Sequence, residues 1–268
     1  MNDVNDAAPT KDWAPDVYLA FAGYRARPAA DFLPRISIPA HGVLYDLGCG
    51  PGNVTAKLKA KWPERDVVGV DSSPAMLDAA RTKHAAPGLT FQSGDMARWS
   101  PPEPAALIFS NAAFHWVGDH ETLFPHLMGA LAPGGTLAVQ MPTGQEAPYQ
   151  TCIDDIAALP QWRDKVADAY RQTMPLAPRA YYDLLAPLAS EIDIWHADYH
   201  HVLQGEDPVP AWVAGSALVP YTSLLTQREA QEFTTAYAAA VRPFYPPQAD
   251  GRTLFTMRRL FILARRRS

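Results

Sequence analysis

The sequence predicts an α/β protein: a doubly wound, seven-stranded, mostly parallel sheet with helical cap insertions. Three observations carry that prediction. Short apolar runs alternate regularly with helical stretches through the first half of the 268-residue chain. The first two runs each end in an acid, Asp46 and Asp71, and a glycine-rich turn follows the first. Beyond Met141 the rhythm breaks, and the chain closes on one more apolar run, Leu260-Phe261-Ile262-Leu263-Ala264. Strand and helix in alternation build right-handed crossover units, and those units build a doubly wound sheet.

Residues 1–11 are polar and Ala-rich and are expected to be disordered. From 12 onward a single domain is expected. Its first part, 12–40, reads as a helical lid, with Val17, Phe21 and Tyr24 on one face of a helix over 16–33. Strands are predicted at 43–46, 67–70, 89–92, 106–110 and 136–140; the first four are short and rich in Val, Leu, Ile or Phe, as strands buried on both faces should be. Helices are predicted between them at 53–62, 74–84 and 119–131. Pro133-Gly134-Gly135 predicts a turn just before the fifth strand. Residues 150–190 read as helices broken by proline. Ile192-Asp193-Ile194-Trp195 opens a sixth strand reaching Leu203, and 208–247 returns to helix. The insertions, about 142–190 and 208–257, are expected to cap the sheet rather than form a free domain.

Composition narrows the function. A formal charge of −5 without a long Lys/Arg run argues against a nucleic-acid polyanion as main partner. Two cysteines, Cys49 and Cys152, are too few for a disulfide framework. No apolar run approaches the roughly 18 residues of a membrane span, and no N-terminal apolar leader is present. A reduced, cytoplasmic, non-membrane protein is expected, a monomer or weak dimer with no metal.

The chemistry concentrates at the predicted C-terminal ends of the strands, where doubly wound sheets bind ligands. Asp46-Leu47-Gly48-Cys49-Gly50-Pro51-Gly52-Asn53 follows the first strand, and its glycines let backbone approach a ligand closely. Asp71-Ser72 ends the second strand, where an acid can grip ribose hydroxyls; capping the helix after Pro74 is the plainer alternative. Asp95-Met96 follows the third strand and Ser110-Asn111 the fourth. A dinucleotide turn wants a third glycine at 53, which is Asn53, so a nicotinamide cofactor is disfavoured. The pattern Asp-x-Gly-x-Gly-x-Gly instead resembles the S-adenosylmethionine loop of Rossmann-like methyltransferases. The resemblance implies contacts to that cofactor from Asp46, Gly48, Cys49, Gly50, Gly52, Asn53, Asp71, Ser72, Met76, Asp95, Met96, Ser110 and Asn111. It places His115 and Trp116 beside the transferred methyl as positioning groups, with no obligatory acid or base. The Asp/Asn-Pro-Pro-Tyr/Phe pattern of nucleobase and amide methylation is lacking after the fourth strand.

Further segments narrow the resemblance. Trp13-Ala14-Pro15-Asp16-Val17-Tyr18-Leu19, Arg25-Ala26-Arg27-Pro28, Leu123-Phe124-Pro125-His126-Leu127, Ala138-Val139-Gln140-Met141-Pro142, Tyr181-Tyr182-Asp183 and Arg259-Leu260-Phe261-Ile262 are similar to the trans-aconitate 2-methyltransferase family, and the likeness runs from about 12 to 267. That family esterifies one carboxylate of a small tricarboxylate. Arginine forks suit carboxylates, so Arg25, Arg27, Arg258 and Arg259, with Tyr181, Tyr182, Tyr199 and His201, are the expected substrate-binding groups. The chain departs from the family pattern at Val219, where an arginine is expected; Arg258, an additional cation, would offset that loss. Methylation of another small carboxylate, phenol or amine, with His115 as a base, is the alternative reaction. Cofactor binding without catalysis is the alternative of another class.

Overall fold

A computed structural model describes residues 21–169 and 173–268. The predicted helix starting at 16 is seen from α1 (Ala22–Phe32) onward; Val17 and the rest of 12–20 lie outside the described residues, as do residues 1–11. Then follow β1 (Leu44–Leu47), α2 (Asn53–Lys61), β2 (Val67–Asp71), α3 (Pro74–Lys83), β3 (Leu89–Ser93) and β4 (Ala105–Asn111). After them come α4 (His120–Ala130), β5 (Leu131–Pro142), α5 (Pro148–Ala157), α6 (Pro178–Leu185) and β6 (Ala189–Leu203). The chain ends with α7 (Pro208–Ala214), α8 (Val219–Thr222), α9 (Gln227–Val241) and β7 (Thr253–Arg266).

The strands form one seven-stranded sheet in the order β3-β2-β1-β4-β5-β7-β6. The pairs β1–β2, β1–β4, β2–β3 and β4–β5 are parallel, and β7 runs antiparallel to β5. The order reverses between β1 and β4, the switch point at which such sheets open a crevice. Helix starts are set locally. Ser73 accepts the Met76 N–H ahead of Pro74, Asp119 accepts the Thr122 N–H, and Thr226 with Glu229 forms a reciprocal capping box on α9.

The chain divides into two compact units. One takes 22–143, 173–199 and 258–268; the other takes Phe21, 144–169 and 200–257 of the described residues. In the first, the sheet is packed on both faces. Leu47, Ile108, Val139, Met141, Leu260 and Ile262 fill one side, with Phe124, Leu127 and Tyr181. Leu44, Leu107, Phe109, Ala138 and Phe261 fill the other, with Ala29 and Phe32 of α1. The second unit has its own core, built from Ile153, Trp212, Phe233, Tyr237 and Phe255 among others. Ends of β6 and β7 are shared along the chain between the two.

Pro133-Gly134-Gly135 does not precede β5 but lies within it. Ala105 pairs with Leu131 and Leu107 with Thr136, so the extra residues bulge out of the ladder, with Gly134 at φ +71°. Among the described residues, no helix is long and apolar enough to cross a membrane.

Candidate active site

The loop after β1 is shaped by backbone bonds. The N–H groups of Gly48 and Cys49 both donate to the Val70 carbonyl, at 2.8 and 3.0 Å, which folds the loop over the end of β2. Gly48 has φ +74°, and a Cβ there would lie 2.2 Å from the Ala113 Cβ. Gly50 has φ +53°, and its missing Cβ would meet nothing within 4 Å. One glycine is needed for packing, and the other faces open space.

Asp71 is oriented by two backbone donors, Gly50 N–H to Oδ2 at 2.8 Å and Ser73 N–H to Oδ1 at 2.9 Å. Ser73, not Asp71, caps α3. Those two bonds align Asp71 at the end of β2, where the ribose hydroxyls of a cofactor are expected. Ser72 beside it is exposed and Met76 is buried. Asp95 is exposed and accepts the Ala97 N–H at 3.0 Å, with Met96 half-buried next to it. These groups, with the gap at Gly50, fit a nucleoside-bearing cofactor.

Asp46 is 1 % exposed and accepts the Thr55 hydroxyl at 2.7 Å. Burial pushes its carboxyl up to about 7; the Thr55 bond opposes the shift and the charge of Asp71 adds to it. Its folded pKa lies above the unfolded value, so between about pH 4 and 7 folding takes up a proton and stability falls as pH rises. Asp46→Asn should therefore match the parent near pH 4 and exceed it above pH 7, by at most about 4 kcal/mol at ~1.36 kcal/mol per unit. Urea melts across that range would check it; a gap that narrows as pH rises would refute it.

Two of the expected cofactor groups are occupied within the protein. Ser110 is fully buried and donates to the Leu47 carbonyl at 2.8 Å, tying β4 to β1. Asn53 faces His84, with Oδ1 and Nε2 3.0 Å apart. Cys49 is a buried thiol held well above its ordinary pKa by burial and by Asp46 and Asp71; both cysteines are free.

The segment after β4 carries the groups expected beside the methyl. Ala112 has φ +55°, and its N–H donates to the Gln140 carbonyl at 2.8 Å. That turn sends Phe114–Trp116 into a short 3-10 helix, clasped by Thr173, whose N–H and hydroxyl reach the His115 carbonyl at 2.7 and 3.1 Å. His115 is 5 % exposed, its ring centroid 5.2 Å from that of half-buried Trp116, and its Nδ1 makes no bond within the protein. Burial lowers its pKa to about 3, and the positive charge of Arg259 contributes.

The expected substrate cations separate into two kinds. Arg259 is 5 % exposed. It and Arg27 both act on Tyr199; the Arg27 guanidinium lies 5.3 Å from the Tyr199 ring centroid. Tyr199 donates to Asp31 at 3.0 Å, and burial foremost pushes its hydroxyl up to about 12. Arg25 is half-buried on α1, two residues and about 200° around the helix axis from exposed Arg27. The positive charge of Arg259 thus acts on both Tyr199 and His115, while exposed Arg27 lies against the Tyr199 ring.

Four further groups expected to bind substrate are placed as follows. Arg258 is exposed and forks onto Asp198 at 2.8 and 2.9 Å, and Val219 opens α8. Tyr181 is a core residue: its hydroxyl meets His120 Nδ1 at 2.6 Å and accepts the Leu176 N–H at 3.2 Å. Tyr182 points the other way and is 54 % exposed. His201 is buried in the second unit, stacked on Trp212 with centroids 4.8 Å apart. Sequence reasoning quoted Gln140 only within a family-like segment and gave it no role; it is fully buried on β5, with neither end of its amide bonded among the described residues. Among the described residues, no cluster of His, Cys, Asp and Glu is placed to hold a metal ion.

Residues 44–135 match the family model described as a methyltransferase domain. The fold is shared with phosphoethanolamine N-methyltransferase 2 of Haemonchus contortus, solved with phosphomonomethylethanolamine and S-adenosylhomocysteine: 15% identity, TM-score 0.55, 95% of this chain and 58% of that one covered. Sheet order, glycine loop and domain match together define a Rossmann-like methyltransferase. Over 260 residues the chain is 42% identical to the trans-aconitate 2-methyltransferase of Methylobacterium radiotolerans, covering 96% of this chain and 99% of that protein. It is 41% identical to the same enzyme of Paracidovorax citrulli, covering 95% and 98%. The chain belongs to the trans-aconitate 2-methyltransferase family.

Proposed function

We propose that this protein transfers a methyl group from S-adenosylmethionine to one carboxylate of trans-aconitate, giving the monomethyl ester and S-adenosylhomocysteine. The observation that carries the reading is the end-to-end likeness to enzymes of that name. When bound, the cofactor supplies an electrophilic methyl on a sulfonium.

The residues suit that chemistry. A carboxylate is ionised at pH 7 and needs no general base. His115, lowered to about 3, is neutral there and too weak a base to activate a phenol or an ammonium. That favours a carboxylate acceptor over the alternatives. Its buried imidazole and the Trp116 ring would instead shape a dry wall, and a dry wall favours a reaction in which opposite charges disappear. Arg259 and Arg27 would hold the carboxylates that do not react, because a fork on the reacting oxygen would withdraw its charge. The main task left to the protein is alignment of oxygen, carbon and sulfur.

We further propose a cytoplasmic protein, monomeric or weakly dimeric, that engages neither nucleic acid nor membrane. The test is a turnover assay with trans-aconitate beside cis-aconitate, citrate and isocitrate, with the product identified by mass. A trans-aconitate monomethyl ester formed in clear preference is expected. Turnover of none of the four, with the cofactor bound, would overturn the substrate and leave the fold.

A further inference from the structure

Gln140 lies in the middle of an otherwise apolar run, Ala138-Val139-Gln140-Met141, on a strand paired on both sides. It is 0 % exposed, and its Nε2 and Oε1 bond nothing among the described residues. A buried amide in that state costs stability that any apolar side chain of the same length would recover.

Its neighbours say what it faces. On β4 its register partner is Asn111, whose Oδ1 is also buried and unbonded. On β7 its partner is Phe261, and Arg259 lies two residues further along, on the same face of the strand. Diagonal positions of this kind are about 7–8 Å apart. Gln140 therefore stands between the end of β4, which leads into the His115 segment, and the buried cation of β7. Its own carbonyl fixes Ala112 in the left-handed conformation that starts that segment.

We infer that Gln140 is the group that seats the reacting carboxylate. This rests on the proposed esterification. Its Nε2 donates to the oxygen of that carboxylate that is not methylated. Its Oε1 repels a second anionic oxygen and so fixes the rotation of the group. The other oxygen then uses a lone pair to form the new bond to the methyl carbon, while the carbon–sulfur pair stays on sulfur as a thioether; no proton moves. A neutral donor suits this position because its bond is weaker than that of a guanidinium and leaves the nucleophile its charge. The division is thus arginine for the spectator carboxylates and an amide for the one that reacts.

The experiment compares the full-length protein with Gln140→Met, reading trans-aconitate kinetics, cofactor affinity by calorimetry and melting temperature. The expected result is a kcat/KM about 10- to 100-fold lower, unchanged cofactor affinity, and a melting temperature equal to or above that of the parent, since the orphaned amide is gone. Should Gln140→Met fold poorly, Gln140→Asn carries the same test, being one methylene short of its target. Parent-like kinetics in a folded variant overturn the inference and leave the esterification standing. A lower melting temperature with KM unchanged overturns it too, in favour of a packing role. A parent protein that binds cofactor and does not turn over trans-aconitate removes the proposed function, and this inference with it.

Discussion

Gly48→Ala should lower cofactor affinity by at least about 100-fold and destabilise the free protein. Two costs combine. Residue 48 has φ +74°, a conformation that costs an L side chain roughly 1–2 kcal/mol. A Cβ there would also lie 2.2 Å from the Ala113 Cβ. Both atoms sit directly on backbone, so no rotamer change relieves the contact; either the glycine loop or the segment after β4 must move. The loop is held by two N–H bonds to Val70, and the other segment by the Ala112 bond to Gln140. Moving either displaces groups expected at the cofactor. The steric share is separable: Gly48→Ala combined with Ala113→Gly should recover part of the affinity, leaving the backbone cost. Gly50→Ala is the contrast, with open space around its Cβ. It should lose only the backbone cost of its own left-handed φ of +53°, roughly 1–2 kcal/mol, with no steric clash added, and still bind cofactor poorly, because the methyl fills the space the ligand needs. Calorimetric titration with S-adenosylhomocysteine and a thermal melt of all four proteins would decide; parent-like affinity in Gly48→Ala refutes the argument.

The sheet was legible because strands buried on both faces leave a strong signature. Val67–Val70 and 106–110 are nearly unbroken apolar runs, and each grew by only a residue or so in the structure. The β5 start was misread because Pro and Gly mark a departure from regular strand geometry without saying whether the chain turns or bulges. Here Leu131 still pairs with Ala105 before the bulge, so the strand resumes instead of beginning. The division into two units was hidden for a different reason. The second core is assembled from segments far apart in sequence, such as Ile153, Trp212 and Phe255, and local periodicity cannot report which distant faces meet.

In the site, acids and glycines were readable because strand ends fix where they stand. Direction was not. Arg258 and Arg259 are adjacent on β7, and alternation sends one to Asp198 in solvent and the other into the protein. Tyr181 and Tyr182 are adjacent on α6, about 100° apart around the axis, so one enters the core and the other leaves it. A pair of identical residues shows that one of them faces inward, not which. Gln140 was readable in principle: a lone amide where a twice-paired strand wants an apolar residue is itself a signal. Its segment was read only for its likeness to the family, and the lone amide within it was assigned no role.

Arg259→Met should cost about 100- to 1,000-fold in kcat/KM for trans-aconitate, mostly through KM. Removing one partner of a buried charge pair typically costs 2–5 kcal/mol, roughly 30- to 5,000-fold, because the other charge is left in a dry site. The substrate is a trianion in a protein of net charge −5, so the few buried cations must do most of the holding. Arg258 is exposed and paired with Asp198, so it is not a buried replacement for the lost charge. Arg259→Lys should recover little, since a point charge lacks the planar fork that meets two carboxylate oxygens. A purely structural Arg259 would also depress activity, so a second readout is needed, and His115 supplies it. Part of the lowering of its pKa comes from the positive charge of Arg259. In Arg259→Met the His115 pKa should rise from about 3, though not to its ordinary value, because burial, the larger cause, remains. NMR titration of the imidazole would show this directly. A His115 that titrates unchanged while activity falls would mean that Arg259 does not face this site, and that the carboxylates of the substrate are held from elsewhere.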